Sequence, residues 1–128
     1  MKCLTISQPH ATLIMLGVKM FETRSWRTYY KGDLAIHAGL KKNDLWLQNI
    51  TPFKEVLKGV ECPIGAVLGI CRLVYCTPTS QVEDRTFGDF GIGRWAFRLE
   101  VLEVFDFPVP AKGSLGIWDW PFNLELGV

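Results

Sequence analysis

The stretch GVKMFETRSWRTYYK, residues 17–31, sets a carboxylate, a guanidinium and an indole on alternate positions at Glu22, Arg24 and Trp26. Lys19, Arg27, Tyr29, Tyr30 and Lys31 crowd around them. Alternation of this kind puts side chains on one face of a strand, where an ordinary strand would show apolar residues. The three types are chemically complementary toward a nucleotide. Arginine offers a fixed fork of donors for phosphate or carboxylate. Glutamate accepts from an exocyclic amine, and an aromatic face stacks a base for roughly 1–3 kcal/mol. The same residues also read as a Glu22–Arg24 ion pair on a solvated face with Trp26 as its lid, an arrangement that is common and weak.

The flanking elements must position these groups. Residues 2–6 form a short apolar strand. Ser7, Pro9 and Gly17 then supply N-cap, first-turn and stop signals for a helix over Gln8–Leu16 with Leu13, Ile14 and Leu16 buried. Met20–Trp26 reads as a strand of period two. Lys19 and Glu22, three apart, fall on opposite faces of a regular strand and converge only if Lys19 lies in the turn after Gly17. Asp33–Ala38 is a second strand, with Leu34, Ile36 and Ala38 opposed to Asp33, Ala35 and His37. Lys41–Ile50 and Phe53–Leu57 have helical character. Ile64–Val74 is the most apolar strand, and Gly65 and Gly69 within it mark a bulge or corner. Thr77–Gly93 is polar and turn-rich, with Gly91 and Gly93 in a flexible loop; Trp95–Phe107 alternates at length, and Leu115–Trp118 closes the sheet. Short strands with early helical insertions point to an α+β organisation around a small barrel, one domain over residues 1–128.

Bulk properties fit that reading. With 48% apolar and 21% charged residues, the chain is globular. Its apolar runs are too short to span a membrane, and the N-terminus lacks the apolar core of a signal peptide, so a cytoplasmic address is expected. The net charge is +1, yet residues 1–42 carry a balance of +5 and residues 43–128 one of −4, which suggests an anionic partner at the N-terminal third. Cys3, Cys62, Cys71 and Cys76 show no metal-ligand spacing and read as reduced structural thiols, with Cys71 facing the core. Neither a metal nor a cofactor is expected. His37, between Ile36 and Ala38, reads as a hydrogen-bonded structural histidine.

These residues, in this order, resemble the ASCH family of the PUA-like superfamily. Ser7-Gln8-Pro9-His10-Ala11, then Gly17-Val18-Lys19-Met20-Phe21-Glu22-Thr23-Arg24-Ser25-Trp26, is similar to the family opening. Tyr30–Ala38, Gly65–Val74, Trp95–Glu100 and Pro108–Trp118 are similar to its later strands. His10 departs from the pattern, which has tryptophan there. The resemblance implies a PUA-like barrel of about five to six strands with peripheral helices, and a cleft beside the first helix that binds RNA, a nucleotide or a modified nucleoside. By carry-over Lys19, Glu22 and Arg24 line the cleft, with Gln8, Trp26, Tyr30 and His37 nearby. Arg24 and Lys19 would meet phosphate, Glu22 a base edge, and Trp26 or Tyr30 a base face. A branch of the superfamily hydrolyses acylated cytidine with a lysine and a threonine. Here Glu22 occupies the threonine position, so Lys19 and Glu22 are the catalytic candidates if the chain is such an amidohydrolase or a ribonuclease. A third reading docks the basic third on an acidic protein surface.

Overall fold

The computed structural model describes residues 1–121. In chain order its elements are β1 (Lys2–Ile6), α1 (His10–Met15), β2 (Phe21–Arg24), β3 (Gly32–Ala38), a 3-10 turn (Leu45–Asn49), α2 (Phe53–Leu57), β4 (Ala66–Pro78), a 3-10 turn (Thr79–Gln81), β5 (Trp95–Pro110) and β6 (Ile117–Asp119). The strands form one six-stranded sheet in the order β2-β5-β4-β3-β1-β6. Only β1 and β3 run parallel; the other neighbours are antiparallel. The sheet bends into a half-barrel around α1, the expected α+β barrel-like architecture.

Alternation gives β1 and β3 two buried faces. Leu4 and Ile6 of β1 join Leu34, Ile36 and Ala38 of β3 in the main core with Ala11, Ile14 and Met15 of α1. Cys3 and Ala35 point the other way, into a smaller core closed by Trp120. Burial pushes the Cys3 and Cys71 thiols up to about 12, so both behave as small apolar side chains.

The curvature comes from β4 and β5. Leu68, Cys71 and Leu73 serve the main core while Val67 and Ile70 serve the smaller one, so the alternation changes phase at Gly69. The β4–β5 register shifts on both sides of that residue, between Val67 and Gly69 and between Ile70 and Cys71. A bulge there bends the strand. A Cβ on Gly69 would lie 2.2 Å from the Glu103 carbonyl oxygen and 2.8 Å from the Met15 sulfur. Gly69→Ala is therefore expected to lower stability by about 1–3 kcal/mol through overpacking, read as a lowered denaturation midpoint in urea. An unchanged midpoint would show that the bulge has room to spare.

Three local expectations are corrected. The first helix is shorter than Gln8–Leu16, and Ser7 does not cap it: the Ser7 hydroxyl donates to Asp44 at 3.0 Å, and Gln8 Oε1 instead accepts from the Thr12 amide at 3.0 Å. Leu16 is exposed rather than buried. The helical character of Lys41–Ile50 is realised only as the 3-10 turn Leu45–Asn49, which buries none of its residues.

Candidate functional site

Gly17, at φ 77°, ends α1, and the Val18 and Lys19 amides both return to the Leu13 carbonyl. This tight return aims Lys19 at the face of β2 that carries Glu22 and Arg24. Lys19 Nζ lies 3.2 Å from Glu22 Oε1, and Arg24 Nη2 donates to Glu22 Oε2 at 2.8 Å. The Lys19 and Glu22 side chains are only 2% and 10% exposed, so this is not the solvated pair that composition allows. Arg24 Nη2 also donates to the Thr5 carbonyl at 2.9 Å. That bond joins β2, at one end of the sheet order, to β1 near the other.

The electrostatics follow from burial. Lys19 loses affinity for its proton because burial penalises the ammonium, an effect that Glu22 offsets only in part. Burial drives Glu22 upward, but the charges of Lys19 and Arg24 outweigh it and hold the carboxyl below its ordinary range. Lys19 donates to His10 Nδ1 at 2.7 Å. Burial first, and then the Lys19 charge, lower His10 to about 4, so the imidazole is neutral at pH 7 and serves as an acceptor.

The trio forms the floor of an open cavity of about 750 Å³. Five basic and three acidic side chains line it, a surplus of two positive charges before the histidines are counted. Lys41 and Lys112 stand exposed at the rim, with the exposed Leu40 and Leu115 beside them. Arg94 reaches in from the start of β5, its Nη2 donating to the Thr23 carbonyl at 3.2 Å. Arg24 Nε is buried and has no hydrogen-bond partner, the lone such atom among the described side chains. A buried donor in that condition suits an acceptor atom supplied from the cavity.

The remaining sequence candidates divide. His37 lines the cavity and is fixed there: its Nδ1 lies 3.1 Å from Thr5 Oγ1 and its Nε2 lies 2.7 Å from the Ala111 carbonyl oxygen. A carbonyl can only accept, so Nε2 carries a proton, and Thr5 Oγ1, in contact with Nδ1, also accepts from Trp118 Nε1 at 3.0 Å. Gln8, Trp26 and Tyr30 lie outside the cavity wall. Gln8 is fully buried and donates to Thr12 and to the Pro63 carbonyl. Trp26 packs edge-on against Phe97, with 5.1 Å between ring centres. The Tyr30 hydroxyl donates to the Asp33 carbonyl at 2.6 Å. Sequence patterns singled out none of Thr5, Lys41, Arg94 and Lys112, which come from four separate parts of the chain. Lys112 belongs to a stretch similar to the family's closing strands, and Arg94 follows the Gly91–Gly93 turn, but nothing local ties either to Glu22. Among the described residues no group of three or more His, Cys, Asp or Glu side chains is placed to hold a metal ion.

The family model for the ASCH domain matches residues 4–104, which run from β1 into β5 and include the whole Lys19–Glu22–Arg24 floor. The chain belongs to the ASCH family. It is 31% identical over 135 residues to Activating signal cointegrator 1 of Homo sapiens, and 30% identical over the same length to that of Mus musculus. Each match covers 98% of this chain, which spans only 23% of the length of either relative. The ASCH chain thus corresponds to a segment of those larger proteins. No helix among the described residues is long and apolar enough to cross a membrane.

Proposed function

We propose that this ASCH domain binds RNA through one nucleotide unit held in the cavity above Lys19, Glu22 and Arg24. The observation that carries the reading is the buried lysine–glutamate–arginine floor of a cavity of nucleotide scale. The rim cations Lys41 and Lys112, with Arg94, are suited to phosphate. Arg24, with an unpartnered Nε, is suited to a carbonyl or phosphate oxygen. Glu22 uses one lone pair on each oxygen and can accept from an exocyclic amine with another. Trp26 and Tyr30 leave this scheme, because their rings are engaged away from the cavity.

Anisotropy titration of labelled single-stranded RNA over a salt series tests the reading. Two to three neutralised phosphates on a single strand give a slope of log K against log salt of about −1.4 to −2.1. Lys41→Ala with Lys112→Ala, both exposed positions, is expected to weaken binding about ten-fold and flatten the slope. Absence of binding by RNA and by mononucleotides would overturn the proposal, and a slope demanding many phosphates would overturn its small-cavity form.

Hydrolysis of an acylated cytidine or cleavage of RNA by Lys19 and Glu22 is the second reading, favoured by the close approach of a buried amine to a carboxylate. Glu22, locked between two cations and held below its ordinary range, is a weak base at neutral pH, which favours binding over turnover. Turnover of acylated cytidine or of an RNA pool, lost in both Lys19→Met and Glu22→Gln, would reverse that preference.

A further inference from the structure

A second, smaller pocket of about 220 Å³ shares Arg94 with the main cavity. Trp95, Phe90 and Ile92 give it aromatic and apolar walls, and Arg85 adds a cation. Ile92 is fully exposed at the tip of a turn, where an apolar side chain gains nothing from the fold itself. The turn is a built feature. Thr79, 1% exposed, donates its hydroxyl to the Gly91 carbonyl at 2.9 Å and its amide to the Arg94 carbonyl at 3.0 Å. Arg85 braces the other side through the Val82 and Thr79 carbonyls. Beyond Trp95 the wall continues as a stack. The Arg27 guanidinium lies 4.8 Å from the Trp95 ring centre and 4.6 Å from that of Tyr29, which is 81% exposed.

Arg94 is the hinge of the arrangement. Its Nε faces Asp89, with the carbonyl 3.1 Å away, and its Nη2 bonds Thr23, while Nη1 takes part in none of its hydrogen bonds among the described residues. A cation between two pockets, one charged and one aromatic, matches a chain that alternates phosphate and base. Asp89, the acidic group facing this arginine, is already engaged with it at 3.5 Å.

We infer that the occupant is a single-stranded RNA of at least two consecutive nucleotides, its second base seated against Trp95 and Ile92 and the linking phosphate at Arg94. The inference rests on the reading of the main cavity as a nucleotide site. A duplex is excluded as the ligand, because a base held by its pairing partner cannot enter a pocket beside its neighbour. The Arg27–Tyr29 stack then offers a flat face for a third base.

The test uses 5′-phosphorylated ribo-oligonucleotides of each base, one to three nucleotides long, titrated by calorimetry against the full chain. The trinucleotide of the preferred base is expected to bind about ten-fold or more tighter than its mononucleotide. Ile92→Asp, at an exposed position with no hydrogen bond to lose, is expected to abolish that gain while mononucleotide affinity stays as in the parent. Base stacking should also quench tryptophan emission with the trinucleotide, and Trp95→Phe should remove that part of the quench. Equal affinity for one and three nucleotides, or a full length-dependent gain in Ile92→Asp, overturns this inference and leaves the main cavity reading standing. Failure of both lengths to bind overturns the cavity reading and this one with it. DNA of the same length binding as tightly as RNA overturns the choice of RNA.

Discussion

Glu22→Ala is expected to lower the unfolding free energy by about 3–5 kcal/mol at neutral pH. The loss comes less from broken attraction than from what remains: a lysine side chain 2% exposed whose paired carboxylate is gone. Glu22 supplies the largest contribution that supports the Lys19 proton against burial, so the Lys19 value, already below 10.5, falls further when it goes. The sign of the pH dependence follows. A lysine that binds its proton more weakly in the folded state than in the unfolded one opposes folding below its folded value. That opposition fades as pH rises toward 10.5. The variant should therefore gain stability with rising pH over a wider window than the parent. In the parent, Glu22 is held below 4.5, so its own contribution is present above that value and lost as pH falls through the folded one. Pairing the changes as Lys19→Met with Glu22→Gln removes the uncompensated charge and keeps an acceptor for Arg24, and should recover most of the loss. Urea denaturation of the three proteins between pH 6 and pH 10 decides the matter. A Glu22→Ala protein within about 1 kcal/mol of the parent, or one with no alkaline gain, would mean that Lys19 is solvated.

How much of this was legible in the sequence depends on how far apart the partners lie along the chain. Glu22 and Arg24 are two residues apart, so strand periodicity alone puts them side by side. Lys19 could be added because Gly17 announces where α1 must stop. The Gly69 bulge was legible for a similar reason: a glycine inside an apolar strand forgoes packing and backbone order, which a bend in the strand requires and a straight strand does not. The alternation of residues 33–38 correctly separated Leu34, Ile36 and Ala38 from His37. By contrast, Trp26 and Tyr30 looked like base-stacking surfaces because their neighbours are basic, and only the distant Phe97 shows why the indole turns inward. Gln8 looked like a site residue and is a fully buried bracket for α1. Ser7 carried every local sign of a cap, yet Asp44, 37 residues away, takes its hydroxyl. Arg94, Lys112 and Thr5 reach the cavity through strand pairing that no local pattern encodes. Charge asymmetry pointed to the N-terminal third, but the rim draws as much on residues 94 and 112 as on residue 41.

The second large effect concerns His10, which the fold makes acid-sensitive at the floor of the cavity. It has a folded value of about 4 against 6.5 unfolded, lowered first by burial and then by the Lys19 charge. A histidine lowered in this way is bound more tightly by protons when unfolded. Stability should fall as pH drops from 6.5 toward 4, by roughly 3 kcal/mol for the full shift. Protonation would also set an N–H of the imidazolium against the Lys19 ammonium, 2.7 Å away, and break the bond that positions that ammonium. His10→Asn keeps an acceptor for Lys19 and does not titrate, so its stability profile should be flat between pH 6.5 and 4.5. Glu22 begins to contribute only below that window, which separates the two groups. The ring has a packing role as well, meeting Phe53 edge-on with 5.8 Å between centres. His10→Phe preserves that contact and loses the acceptor, so it should match His10→Asn in flatness while Lys19 is left with Glu22 alone. At the position where the family pattern has a tryptophan, histidine thus exchanges a permanent aromatic wall for one whose charge depends on pH. Parallel profiles for the parent and His10→Asn between pH 6.5 and 4.5 would remove His10 from the electrostatics of the site.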